Sequence, residues 1–505
     1  MSKLFIIFLL ALFLRFLYFP DNIYFGFDQA RDAYASLNIL KGDLKIIGPP
    51  TSVEGLNHGV LYYYIITPFY FLGNLNPEFV SAVLRILNAL GVFLIFYIGS
   101  ILFDKRIGFL ASLLYAVSFE QTQFSIYMGN PSLAVLGVLC MYTGLAMVIY
   151  RNLKVGFPLA TLGLGFSIQF QFALLYLLLP FILILIIFKK NFLMLHLKTW
   201  LVSILAFLLV VSTFVFAEIK YNFRTFHSLT LFGESEKNFN NISSTYIFIL
   251  SRMGKYNIVG EILFGGIILF FLLLLFIFLL KKKEYSSRMV FLGIWFFSIL
   301  TTVLINGGVS NLANNIPLYY PNVGVSLALL IFIAFLLGKL LKISKITGVF
   351  AVLLIVIANF RMIQTFNPRG TISEINVQQG MLLSEEKKVL DYMYNESGSG
   401  IFAVKGVTMP FYINTTWSYL FEWYGLHKYG YFPVWNGKNA EGFYGNLAVQ
   451  EAQEGLPEKR FLVIEPVRGI APHLIEEYID EENYFTKIVE EKKFGEFIVQ
   501  KREKF

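Results

Sequence analysis

FPLATLGLGFSIQFQFALLYLLLPFILILIIF, residues 157–188, is the stretch on which the reading of this chain turns. It carries no charge, and it is too long for a single membrane-spanning helix, which needs about 20 apolar residues. Gln169 and Gln171 stand at its middle. Divided there, the run gives two spans joined by a tight turn at the outer surface. Undivided, it gives one long tilted helix and inverts everything that follows.

The basic residues choose between the two. With the run divided, Lys3, Lys105/Arg106, Arg151/Lys154, Lys189/Lys190/Lys198, Lys281/Lys282/Lys283/Arg288 and Lys339/Lys342/Lys345 all fall on one side. Only Asp104 and Glu284 accompany them, and the connection 306–316 on the other side is uncharged. The positive-inside rule then predicts a cytoplasmic N-terminus. Apolar runs at 3–19, 79–103, 107–125, 131–150, 157–170, 172–188, 199–218, 261–280, 289–305, 317–338 and 346–361 predict about eleven spans, and an odd number puts the tail outside. The first run has no small-residue cleavage site and reads as a retained span. Two long loops, 20–78 and 219–260, fall on the outer side. The first holds the Tyr-rich run 62–72, which is short and interrupted by Pro68; it reads as an interfacial segment.

Composition agrees. The 505 residues are 56% hydrophobic and 15% charged, against roughly 25% charged in a soluble domain. Residues 1–360 hold 25 Lys/Arg against 13 Asp/Glu, and residues 361–505 hold 16 against 20. A basic membrane part is therefore joined to a mildly acidic tail, and the basic excess follows membrane topology, not nucleic-acid binding. Cys140 is the one cysteine, which excludes an intramolecular disulfide and a cysteine metal cluster. The tail reads as a small α/β domain, with a helix from Ser384, buried strands at 401–404 and 461–464, and a hairpin across 484–501. The expected architecture is a polytopic α-helical membrane protein, residues 1–360, followed by an extracytoplasmic α/β domain, residues 361–505.

The chemistry gathers in the first outer loop. A helix starting near Asp28 places Asp28, Arg31 and Asp32 on one face at i, i+3 and i+4. Two acids and a guanidinium at the membrane boundary can orient a phosphate and accept a proton. The same residues also fit a plain juxtamembrane helix capped by Asp28, with Arg31 paired to either acid. Further on come the Gly/Pro-rich stretch 47–55 and His58-Gly59-Val60-Leu61-Tyr62-Tyr63-Tyr64. A histidine at headgroup level can bind phosphate or simply face water. Arg85 opens the second span as a phosphate ligand or a snorkelling anchor. Glu120 is an acid near the outer end of the third span, functional or paired. Asn130 is a sugar ligand or a helix cap before Pro131. Tyr319 and Tyr320 line a lipid groove or the interface.

In their order these outer-loop motifs resemble the GT-C glycosyltransferases, the superfamily of protein O-mannosyltransferases and aminoarabinose transferases. The resemblance rests on the first-loop Asp, the Gly/Pro stretch, His58 to Tyr64, Leu84-Arg85, the segment 125–132 and Tyr319-Tyr320-Pro321. It covers residues 5–190 by motif and the rest by layout. It implies a membrane enzyme that moves a sugar from a polyprenyl-phosphate donor to an acceptor hydroxyl of a glycan, lipid or protein on the outer face, usually with inversion. Asp28 matches the family's catalytic acid/base. Arg31, Asp32, His58, Tyr62, Arg85, Glu120, Asn130 and Tyr320 are the implied donor and substrate contacts. The chain departs from the pattern in three places. Gln29 follows Asp28 where the family more often has a Glu, Asn130 stands where some members have an Asp, and Gln171 lies near where some have a His. No cofactor or divalent metal is implied. A multi-pass plasma-membrane location follows.

The main alternative is a flippase or transporter of lipid-linked oligosaccharide, which would place ionisable groups deep in several spans and often show repeats. A glycan polymerase or ligase of similar fold, or a scaffold without catalysis, completes the set.

Overall fold

The computed structural model describes residues 2–51, 55–228, 242–301, 310–311, 316–317, 319, 322–373, 378–398 and 400–505. The expected break in the opening run falls at Gln171. Helix α9 (Gly156–Phe170) ends there in extended backbone, and a 3-10 turn then leads into Leu178–Ile187. Among the described residues, six helices are long and apolar enough to cross a membrane: 77–102, 131–151, 197–220, 262–280, 326–343 and 345–369. Shorter apolar helices lie at 61–72, 156–170, 172–187 and 286–301.

Two expected spans are interrupted. The run 79–103 forms α4 (Pro77–Ala89) and α5 (Gly91–Leu102), and the run 107–125 forms α6 (Lys105–Val117) and α7 (Phe119–Ile126). Side chains that satisfy the free N–H groups set several helix starts. Asn76 accepts from Glu78, Asp104 from Arg106 and Ile107, Ser118 from Gln121, and Glu261 from Leu263 and Phe264. Asp104 thus sits among basic residues as a cap. The span expected from 317 begins instead at Ser326, after a short pairing of β1 (Ser310–Asn311) with β2 (Ile316–Pro317). The Tyr-rich run is helical over Leu61–Leu72, with Pro68 inside it.

The basic connections gather at one end of the bundle. The Tyr150 hydroxyl donates to Ser287 O (3.0 Å), Asn191 donates to Ile149 O (3.0 Å), and the Lys339 ammonium donates to the Tyr285 hydroxyl. At the other end sits the tail. Its six strands are β3 (Ala403–Val407), β4 (Val434–Asn436), β5 (Ala448–Gln450), β6 (Arg460–Ile464), β7 (Thr486–Phe494) and β8 (Phe497–Lys504), ordered β5-β4-β3-β6-β8-β7. The first four strands of this order are parallel, and β8 and β7 extend them antiparallel. The helix and hairpin expected from the sequence are present as Leu383–Ser397 and β7–β8. Ser384 is not the cap: its hydroxyl donates to Asp21 O, and the helix starts one residue earlier.

The domain is stitched onto the segment before Phe27 and onto the turn after the Tyr-rich helix. Phe25 N–H donates to Met381 O (2.9 Å), Leu383 N–H to Ile23 O (2.9 Å), and the Tyr419 hydroxyl to Leu75 O (2.6 Å). Inside the domain, Glu386 and Glu465 are fully buried carboxyl groups. Burial pushes Glu465 up to about 7, against hydrogen bonds from Met409, Gln378 and Trp417. Burial, and then the charge of Glu465, push Glu386 well above the carboxylate range.

Between the ordinary value of 4.5 and about 7, the folded domain keeps a proton that the unfolded chain has released. Stability therefore falls as pH rises through that window. Thermal melts across pH 4.5–7 are expected to show this decline, and Glu465→Gln is expected to reduce it; a decline undiminished in Glu465→Gln would remove that buried carboxyl as its cause.

Candidate active site on the first outer helix

Helix α2 (Phe27–Leu40) carries the candidate site, and its start is set by close packing. A side chain at Gly26 would meet the Tyr24 hydroxyl at 2.7 Å. Gln29 is buried and makes two bonds of opposite sense. Its carbonyl accepts from Gly26 N–H (3.1 Å), and its amide donates to Met128 O (2.8 Å). A carboxylate at this position could accept the first bond but not donate the second. The Asp-Gln pair is thus the form that ties α2 to the segment after α7. Asp28 does not cap the helix: Gly26 occupies the cap position and Asp28 lies in the first turn.

Asp28, Arg31 and Asp32 do share a face. Arg31 donates to Asp28 Oδ1 at 2.6 Å and grips Asp32 Oδ1 through Nε (2.9 Å) and Nη2 (2.7 Å). The three side chains are graded in exposure: 53% for Asp28, 12% for Arg31 and 4% for Asp32. Burial pushes Asp32 up to about 7, against the pull of the Arg31 guanidinium. Asp28 is the member that an incoming molecule can reach. Farther along the helix, Tyr34 donates to Glu422 (3.0 Å) and contacts Ser418 (3.2 Å) in the C-terminal domain. Phe443 of that domain packs edge-on to Phe27 with ring centres 5.9 Å apart, beside Asp28.

His58 is fixed from below. Its Nδ1 accepts from Phe172 N–H (3.0 Å), while Gly59 N–H donates to Gln169 O (2.8 Å). A side chain at position 59 would collide with Gln169, its Cβ lying 1.9 Å from the side-chain oxygen Oε1 and 2.8 Å from Cα. With Nδ1 accepting, the neutral ring carries its proton on Nε2. Burial, and then the positive Arg31, push His58 down to about 3. His58 is therefore a neutral Nε2–H donor across the physiological range.

The remaining residues divide. Tyr62 is buried, and it and Tyr63 lie against Arg31 and Asp32. Arg85, expected as a phosphate ligand or a snorkelling anchor, is neither. It is fully buried and donates to Arg15 O (2.7 Å), Asn22 Oδ1 (2.9 Å) and Ser81 Oγ (3.3 Å), with its guanidinium 5.0 Å from the Phe19 ring centre. It binds α1 (Ser2–Phe16) and the loop after it to α4. Glu120 is buried and accepts from Asn257, whose carbonyl oxygen accepts in turn from Ser118 (2.8 Å). It joins α7 to the helical turn Lys255–Val259, which with the helix Ile242–Gly254 occupies part of the segment expected as the second long loop. Asn130 occupies the cap position of α8 (Pro131–Arg151) without a side-chain cap bond; it donates to Phe170 O and to Gln171 Oε1 (3.2 Å). Tyr320 lies outside the described residues, and Tyr319 is buried edge-on to Tyr256, ring centres 5.6 Å apart.

The sequence reading missed the second role of Gln29, the anchoring of His58 by Phe172, and the reach of Tyr34 to Glu422. The first had no local signal, since Met128 lies 99 residues from Gln29. The other two are contacts across 114 and 388 residues. Among the described residues, no group of three His, Cys, Asp or Glu side chains is placed to hold a metal ion.

Residues 57–216 match the family model described as dolichyl-phosphate-mannose-protein mannosyltransferase. No curated protein matches the chain. Among solved structures, ArnT from Cupriavidus metallidurans in the apo state aligns at TM-score 0.59 and 11% identity, covering 98% of this chain and 97% of that one. The same protein bound to undecaprenyl phosphate aligns at TM-score 0.57 and 10% identity, with the same coverage. The Archaeoglobus fulgidus oligosaccharyltransferase with Zn and sulfate aligns at TM-score 0.52 and 13% identity, over 83% of this chain and 61% of that one. The resemblance to GT-C glycosyltransferases is thus borne out by the family model and by the fold.

The double bond of Gln29 makes a direct expectation. Gln29→Glu leaves Met128 O facing a carboxylate in a buried position, a loss of about 1–3 kcal/mol. A lowered thermal midpoint for Gln29→Glu is expected; an unchanged midpoint would show that the Met128 bond does not hold α2.

Proposed function

We propose that, on this GT-C fold, the chain is a glycosyltransferase that takes its sugar from a polyprenyl-phosphate donor. The sugar passes to an acceptor hydroxyl at the outer face of the plasma membrane, with inversion. The observation that carries the reading is the graded array on α2: a half-exposed Asp28 bonded to a nearly buried Arg31, itself anchored on a buried Asp32. The family model over residues 57–216 supports it, as does the likeness of fold to an ArnT structure that holds undecaprenyl phosphate.

In this mechanism Asp28 takes the proton of the acceptor hydroxyl as its oxygen attacks the anomeric carbon. The bond from that carbon to the phosphate oxygen breaks, and the polyprenyl phosphate leaves. Arg31 orients Asp28 through the 2.6 Å bond, and Asp32 holds Arg31 in place. A guanidinium beside the leaving phosphate offsets its growing negative charge. His58 adds a neutral Nε2–H donor near the same phosphate. Acceptor choice falls to the C-terminal domain, whose Phe443 stands half-exposed beside Phe27.

The topology proposed with it has about eleven membrane crossings, a cytoplasmic N-terminus and an extracytoplasmic domain 361–505. The clustering of basic connections at the end away from that domain supports this orientation.

Membranes holding the protein are to be supplied with labelled polyprenyl-phosphate sugars. Asp28→Asn is expected to lower transfer by about 10²–10⁴-fold, and the product's anomeric configuration to be opposite to the donor's. Transfer that survives Asp28→Asn would remove Asp28 as the base. Movement of lipid-linked sugar across vesicles without any transfer would favour the flippase.

A further inference from the structure

A second candidate ligand site lies at the other end of the bundle. Between the helices Ile262–Leu280, Ser326–Ile343 and Lys345–Phe366 is a cavity of about 540 Å³. Its length is aliphatic, with Ile268, Leu272, Leu275, Leu336, Leu340 and Ile355 among its walls. Leu275 and Ile343 are both exposed, so the cavity opens to the lipid-facing side. One end differs, being formed by Lys282, Tyr285 and Lys339. The Lys339 ammonium donates to the Tyr285 hydroxyl and lies 4.6 Å from that ring's centre, and the Lys282 ammonium lies 4.8 Å from the centre of the Phe278 ring. Among the described residues neither ammonium forms an ion pair, and Glu284, the acid of the connection between them, is paired with neither.

This end is remote from α2. The helix Lys345–Phe366 begins beside Lys339 and runs to the C-terminal domain, so Lys282 and Lys339 lie one membrane helix away from the Asp28 end. The phosphate of a donor held beside Arg31 is therefore not the anion these two ammonium groups face. An apolar slot wide enough for a chain, ending in two cations and a hydroxyl at headgroup level, is complementary to an anionic lipid.

We infer that this cavity seats an acyl chain of an anionic phospholipid of the leaflet opposite the Asp28 end, with its headgroup phosphate held by Lys282, Lys339 and the Tyr285 hydroxyl. Both ammonium groups are mobile enough to turn from their aromatic neighbours toward a phosphate, because each hangs on a four-carbon stem. The site makes no demand on the transfer chemistry and stands whether or not that reading holds.

The test uses the full chain in nanodiscs of equal phosphatidylglycerol and phosphatidylcholine, with retained lipid counted by native mass spectrometry after release. Wild type is expected to retain phosphatidylglycerol over phosphatidylcholine by about tenfold. Lys282→Gln with Lys339→Gln is expected to bring the ratio close to one, while Lys282→Arg with Lys339→Arg keeps it. Leu272→Trp, which fills the slot, is expected to reduce retention of both lipids. Thermal melts of each variant separate loss of lipid from loss of fold. Equal retention of the two lipids by wild type would overturn the inference, as would an undiminished preference in the double Gln variant. Added polyprenyl phosphate that displaces the retained phosphatidylglycerol would also overturn it and assign the slot to the donor's tail.

Discussion

Helix α2 is packed between two bodies, and its charges must be balanced inside that contact. Phe25 and Tyr34 tie its flanks to the C-terminal domain, and Gln29 ties its first turn to the membrane bundle at Met128. Asp32 is thereby enclosed, and an enclosed carboxylate without a partner costs several kcal/mol. Arg31 supplies the partner through two bonds to one oxygen. Its remaining reach sets Asp28 at 2.6 Å, at the edge of the contact. The exposed position of Asp28 is thus fixed by a neutralisation problem one helical turn deeper.

Much of this was legible in the sequence because its period is local. Asp28, Arg31 and Asp32 share a helix face by spacing alone, and the structure keeps them there. The break at Gln171 and the hairpin β7–β8 are likewise set by residues close together in the chain. Arg85 was not legible. A lone arginine at the start of an apolar run looks the same whether it reaches outward or inward, and only the carbonyl of Arg15 and the amide of Asn22, 70 and 63 residues away, draw it in. The short strands β4 and β5 were missed for a similar reason. Three residues carry no readable alternation, and their pairing with β3 comes from the parallel sheet as a whole.

The places where the chain departs from the family pattern share one chemistry. Gln29, Asn130 and Gln171 are amides, and each bonds a backbone carbonyl or another amide inside the protein. An amide offers a donor and an acceptor without a charge, whereas a carboxylate in the same enclosure would need a cation. His58 follows the same pattern, because its lowered pKa keeps the ring neutral beside Arg31. At the first turn of α2 the charged groups are the triad, and Gln29 and His58 act beside it through hydrogen bonds.

The two ends of the bundle handle charge in opposite ways. At the α2 end, one guanidinium is held between two carboxyl groups, the buried Asp32 and the half-exposed Asp28. At the other end, Lys282 and Lys339 stand beside aromatic rings with no ion pair among the described residues. Such rings offset only part of an ammonium's charge, about 0.5–1 kcal/mol at exposed sites. The positive-inside rule treats these lysines as address labels for membrane insertion. Their position at the mouth of an aliphatic slot gives them a second physical role, because an unneutralised cation beside an acyl-sized cavity at headgroup depth discriminates among lipids by charge. On the proposed topology, one set of lysines thus serves both to orient the chain in the membrane and to choose what surrounds it there.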